Sequence, residues 1–219
     1  MSQRNYLVNV EDLSLMDKRE CKLRALAAGL ERCEIKGIGN LHADIPGLEQ
    51  IPSGNLSKRV QYIYDAIKGG KFPESIDQRE LVTGPARTDF VLPATALDTM
   101  VTAPLAVVGL PYSCFQGVPA PQLLNNRLVV FYGVSVNTVP LPVSWLIFRT
   151  GGALGNVEAM FDLQTQETRL EFDAYFSEPI VFDPQEVFAV QVIASIAIAA
   201  AAQVHVHNFL FGPAGQTVL

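Results

Sequence analysis

Arg169-Leu-Glu-Phe-Asp-Ala-Tyr-Phe176, Pro179-Ile-Val-Phe182, the turn Asp183-Pro184-Gln185, Glu186-Val-Phe-Ala-Val-Gln-Val-Ile193 and Gln203-Val-His-Val-His-Asn-Phe-Leu-Phe211 follow one another along 168–213. In the first run Leu170, Phe172, Ala174 and Phe176 share one face, and Arg169, Glu171, Asp173 and Tyr175 the other. Such period-2 alternation predicts a strand buried on one side only. After the proline turn both faces are apolar: Phe188, Val190 and Val192 on one, Val187, Ala189 and Ile193 on the other. That pattern predicts a central strand covered twice. A half-buried strand, a turn, a doubly buried strand and a closing strand together predict an antiparallel sandwich.

Working outward, the β texture begins near Arg87. Phe90-Val-Leu-Pro and Met100-Val-Thr-Ala-Pro-Leu-Ala-Val-Val108 are short apolar runs broken by proline, which suits edge strands. Leu128-Val-Val-Phe-Tyr-Gly-Val-Ser-Val136 and Ser144-Trp-Leu-Ile-Phe-Arg149 read as strands. Val157-Glu-Ala-Met-Phe-Asp-Leu163 alternates, with Val157, Ala159, Phe161 and Leu163 expected inward, and the polar turn at 164–168 predicts a hairpin to the strand at 169. Many short strands with turn signals between them predict a mainly β protein, an antiparallel jelly-roll-like β-sandwich over 86–219.

Residues 1–85 differ in kind and predict a small helical N-terminal region, with a boundary at Gly84-Pro85. Ser14-Leu-Met-Asp17 resembles a capping box. Leu23, Leu26, Leu30 and Cys33 then fall at helical spacing, giving an amphipathic helix over 14–33. Gly37, Gly39, Pro46, Gly47, Pro52 and Gly54 break the pattern. A second helix over 57–68 carries Val60, Ile63, Tyr64 and Ile67 as its stripe and stops at Gly69-Gly70.

Composition narrows the class. Half the chain is hydrophobic (49%) and only 17% is charged, so apolar surface is expected to be covered by partners. A net charge of −6 with no long basic stretch argues against a nucleic-acid groove. The N-terminus lacks a signal layout, and the apolar run over 192–202 is roughly half what a membrane span needs. Cys21, Cys33 and Cys114 have no metal spacing; the first two, some 18 Å apart on one helix, are too far for a disulfide. Synthesis in a reducing cytoplasm follows.

The joint Ile193-Ala-Ser-Ile-Ala-Ile-Ala-Ala-Ala-Ala-Gln203 lacks the Gly, Asn or Asp of an ordinary hairpin tip. Either it tucks into its own core or it packs against a neighbouring copy; the second is favoured, making Ile193, Ile196, Ile198 and Ala200 the expected oligomer contact. Closure about a three-fold axis would cover it.

Chemistry-bearing residues are few. His205 and His207 alternate, so their rings point the same way, as a strand metal pair or a cupin-type site would require. Phe209, Leu210 and Phe211 stand where that family has a carboxylate, and His42 lies far away, so two half-buried imidazoles beside Gln203 are expected instead. Cys114 has no base placed for it by any motif. Gly37-Ile-Gly-Asn-Leu-His42 lacks the third glycine of a dinucleotide fingerprint and reads as a loop. Glu158 with Asp162, and Glu171 with Asp173, read as solvated strand faces that could meet a basic partner. Trp145 with Tyr132 or Tyr175 could form a sugar platform, though core packing is the better reading. No catalytic, cofactor or metal residue is assigned.

The turn Ile180-Val-Phe-Asp-Pro-Gln-Glu-Val-Phe188 and its flanking strands, behind a helical arm, resemble the jelly-roll capsid decoration (cement) proteins of tailed bacteriophages. The resemblance implies a non-enzymatic virion structural protein, assembled in the host cytoplasm. It would be an oligomer, expected to be a trimer, that bridges capsomers by binding the major capsid protein or other virion proteins, without nucleic acid, membrane or cofactor. Another virion role (capsid, vertex or head-fibre protein) and a carbohydrate-binding or cupin-like module are the alternatives.

Overall fold

The computed structural model describes residues 18–81, 100–101, 107–115, 121–136, 143–163, 172–197 and 204–215. Helix α1 (Lys18–Ile35) leads through a short α2 (Leu41–Asp44) and a 3-10 turn (Leu48–Gln50) to α3 (Leu56–Lys68). Among the described residues nine strands follow: β1 (Ile76–Arg79), β2 (Met100–Val101), β3 (Pro111–Ser113), β4 (Leu128–Val136), β5 (Val143–Thr150), β6 (Asn156–Asp162), β7 (Phe172–Phe182), β8 (Phe188–Ala194) and β9 (Val204–Pro213).

They form two antiparallel sheets. The first has the order β1-β9-β4-β7, with β2 also beside β9; the second has the order β3-β8-β5-β6. The pairing is nested: β9 takes β1 and β2, β8 takes β3, β7 takes β4 and β6 takes β5. The chain is thus a long folded-back ribbon laid over itself, and the protein is a β-sandwich preceded by helices. The expected hairpin from Val157–Leu163 to the strand at 169 is overturned, because β6 and β7 lie in different sheets. Alternation shows which face of a strand is buried and is silent about its partner.

Between the sheets lies a phenylalanine-rich core. Phe161 stacks on Phe176 at 4.1 Å and Phe182 on Phe188 at 4.7 Å, while Phe131 and Phe148 meet at 5.2 Å. As read from the sequence, Ala159, Phe161, Leu163, Ala174 and Phe176 face inward. Val157 is only half-buried.

A second core joins the helices to the outer face of the first sheet. Leu26, Leu30 and Cys33 of α1 pack with Ile63 and Ile67 of α3 over Leu128, Val130, Tyr132, Tyr175, Phe209 and Phe211. Gly29 makes this approach possible: a Cβ there would stand 2.3 Å from the Phe211 ring. Tyr175, expected on a solvated face, is therefore 7% exposed. Asn55 caps α3 by accepting from the Lys58 N–H at 3.3 Å, and Gly69 closes it where the sequence places the stop. Residues 36–55, read as a broken loop, hold α2 and the 3-10 turn.

The helical region and the sandwich share a sheet as well as a core, since β1 pairs with β9 from Ile76↔Pro213 to Arg79↔Leu210. Buried Asn208 extends that ladder, accepting from the Leu81 N–H at 3.1 Å and donating to its carbonyl at 3.3 Å. The expected boundary at Gly84-Pro85 lies outside the described residues, as do the capping box at 14–17 and the apolar run at 90–93.

Candidate functional site

Two regions gather the residues singled out in the sequence. The first is one end of the second sheet. Gly109 adopts φ 81°, and its N–H donates to the Ala194 carbonyl at 2.9 Å, tying the segment before β3 to the end of β8. Pro111 pairs with Ile193 in the adjoining ladder. On this tied corner Val107, Val108 and Leu110 are 50%, 56% and 50% exposed, and Ile196 is 38% exposed. Ile193 is half-buried beside them. The row continues across the sheet as Pro111, Ile193, Trp145 and Asp162, which are register partners. Of the expected contact residues, Ile193 and Ile196 are therefore at the surface of this corner; Ile198 and Ala200 lie outside the described residues. The 193–203 joint connects strands of different sheets, so it is not a hairpin tip. Nothing in the residue pattern signals that 107–110 would join it, because that contact depends on β3 pairing with β8.

Trp145 sits half-buried on this outer face, whereas Tyr132 and Tyr175 lie on the other sheet under α1. The aromatic platform is thus overturned. Beside it, Ile147 and Gln191 are buried, and Gln191 Nε2 donates to the Ala153 carbonyl in the β5–β6 turn at 3.3 Å. Glu158 is exposed, as is Asp173 of the second acidic pair; Glu171 lies outside the described residues.

The second region is the face of the first sheet beneath the start of α1. A β-bulge between Phe131 and Gly133 turns both Tyr132 and Ser135 toward the helix. Gly133 is required there, since a Cβ would meet Tyr175 Cδ1 at 2.6 Å. His205 and His207 do point the same way, with ring centroids 4.6 Å apart. His207 shares a hydrogen bond with the Ser135 hydroxyl and is flanked by the rings of Tyr132 at 5.7 Å and Tyr175 at 5.6 Å. Burial first, then the neighbouring His205 and Lys18, lower its pKa from 6.5 to about 4, so the ring is neutral near pH 7. No group of three His, Cys, Asp or Glu residues poised for a metal occurs among the described residues. A serine hydroxyl on an imidazole is also the beginning of a nucleophile, but both side chains are more than nine-tenths buried. The geometry fits a satisfied buried histidine. Gln203 lies outside the described residues.

One charged cluster escaped the sequence reading altogether. Arg59 of α3 is buried and donates to Glu31 at 2.9 Å, to Glu34, and to the Leu48 and Ile51 carbonyls at 3.2 and 2.7 Å. His42 contacts the other oxygen of Glu34. Glu31, Glu34, His42 and Arg59 line a cleft of about 230 Å³. Burial raises the pKa of Glu31 despite Arg59 beside it. With its donors spent on two carboxylates of α1 and on the Leu48 and Ile51 carbonyls, Arg59 clamps α3 to both. The three cysteines are buried and none is in a disulfide.

No family model and no curated protein matches this chain. Among solved structures, one described as Bacillus endospore appendages that form a novel family of disulfide-linked pili is 11% identical, covering 65% of this chain and 91% of that one, with a TM-score of 0.32. Another, IMPa from Pseudomonas aeruginosa in complex with an O-glycopeptide, is 12% identical over 90% of this chain and 23% of that one, with a TM-score of 0.21. Likenesses this distant carry no argument about fold or function.

Proposed function

We propose that this protein is a non-catalytic building block that associates with copies of itself, in the role of a virion shell component such as a capsid decoration protein. The observation that carries self-association is the tied apolar corner: Val107, Val108, Leu110 and Ile196 stand in water on a backbone fixed by the Gly109–Ala194 hydrogen bond. Apolar side chains held rigidly on a surface lose little entropy when covered, which favours a partner surface over a collapsed one. The occupant is a second copy, because the patch runs on to the short strand β3, which is an edge of its sheet among the described residues. Repetition of that contact about a three-fold axis would give the trimer. Nested pairing of the strands supports reading the sandwich as a jelly roll, an architecture that viral capsid domains use. Such a subunit would stabilise a shell by mass action, binding the assembled state alone.

The test is light scattering on the purified chain with Val108→Asp and Ile196→Asp as variants. A trimer at micromolar concentration that falls to monomer in both variants is expected. A wild-type monomer overturns the proposal, as does an oligomer that both substitutions leave intact.

A further inference from the structure

The bed beneath the first turns of α1 has a composition that simple packing does not ask for. From the sheet it presents His207 and His205 on β9, Tyr132 and Ser135 on β4, and Asp173 and Tyr175 on β7. From above, α1 brings two ammonium groups: Lys18 Nζ lies 5.6 Å from the centre of the Tyr175 ring and Lys22 Nζ 5.2 Å from that of Phe209. Glu80, just beyond β1, is the shared counter-ion. It accepts from Lys22 at 3.1 Å and from the Tyr132 hydroxyl at 3.3 Å. While the imidazole is neutral, the lysines rest on the electron-rich faces of aromatic rings, a favourable arrangement.

We propose that this seat is an acid latch: proton uptake by His207 places a buried positive charge beneath Lys18 and Lys22 and releases the first turns of α1 from the sheet. The charges facing His207 are mixed. Burial is the largest influence on His207 and opposes its protonation, as do His205 and Lys18, while Asp173 and Glu80 favour it; the net effect is downward. The sign is therefore fixed. A histidine held neutral in the fold and free to protonate once the seat opens favours the open form as pH falls from about 6.5 toward about 4. Farther along, α1 is held by unrelated contacts: Gly29 on Phe211, and Arg32 and Lys36 on Asp183. Release is thus confined to the beginning of the helix.

Amide hydrogen exchange on the full chain, corrected for the intrinsic effect of pH, tests the latch. Between pH 7 and pH 4.5 protection over 18–26 is expected to fall roughly tenfold or more, while α3 and β4 keep theirs. In His207→Gln that fall should vanish, whereas Glu80→Gln should retain it. Unchanged protection over 18–26 in the wild type, or the same loss in His207→Gln, overturns the proposal. If His207→Gln does not fold, the wild-type imidazole resonance decides. Amide shifts over 18–26 that titrate with the His207 ring support the latch, and shifts that follow a different midpoint refute it.

Discussion

At position 29 a methyl group has nowhere to go, because the Phe211 ring edge and Val130 already occupy the space a Cβ would need. Gly29→Ala is expected to destabilise by about 1–3 kcal/mol through overpacking, in spite of the gain in helix propensity. Urea unfolding measures it, and a smaller ring partner (Phe211→Leu) should recover part of the loss non-additively. Arg59 poses the opposite problem. Arg59→Met leaves Glu31 and Glu34 charged in a buried cluster and should cost roughly 3–5 kcal/mol near neutral pH. The folded-state pKa of Glu31 is already raised, so the fold binds protons that the unfolded chain does not, and stability gains as pH falls through that window. Losing Arg59 deepens that dependence, so the variant should recover part of its deficit in mild acid, as pH-dependent urea midpoints would reveal. Neither residue was legible in the sequence. Gly29 broke no pattern, and Arg59 read as one more charge on a helix, since burial of a guanidinium depends on carboxylates some 25 or more positions away.

Elements were legible where one periodicity ran unbroken. Both long helices and β4, β5 and β8 lie close to where alternation or the helical stripe puts them. What the pattern lacked was partnership: it paired β6 with β7, and it read the outward face of β7 as solvated when α1 covers it. A polar face beneath a helix and one beneath water look alike when the covered residues are Tyr175 and Ser135. At the far end of α1 the helix is fastened to the β7–β8 turn. Arg32 grips Asp183 with two donors, Nε at 2.6 Å, and Lys36 adds a third contact at 2.9 Å. Burial works to raise the Asp183 pKa, but the two cations prevail and hold it below the ordinary carboxylate value. Its contribution is present above about pH 4 and is lost as pH falls through the lowered folded value. Asp183→Asn should cost about 1–2 kcal/mol at neutral pH, since a partly exposed bidentate pair is worth little more. Exchange should quicken over the last turns of α1 and leave 18–26 untouched.

Across the whole molecule the helices are a third layer, not an appendage. Removing residues 1–81 would strip β1 from β9 and bare Leu128, Val130, Tyr132, Tyr175, Phe209 and Phe211. Such a truncation is expected to lose cooperative unfolding and to precipitate, an outcome that calorimetry and sedimentation would register. The sequence disclosed the sandwich and the apolar joint, but the corner that the joint builds with 107–110 needed the sheet to bring them together. The nested order of the strands has a temporal side too. The innermost partners, β5 and β6, are neighbours along the chain and can find each other early, whereas β9 must reach back to residues 76–79 and sits between strands on either side. Loop closure over such spans is slow. A ribosome that has delivered everything up to β8 therefore holds a sheet with its middle missing, and β1 and β4 cannot come to lie on either side of one strand until residues 204–213 emerge. During that wait the exposed rims of the unfinished sheet invite wrong partners, so yield in the cell should depend on how quickly the final strand is supplied and on chaperones that shield the gap.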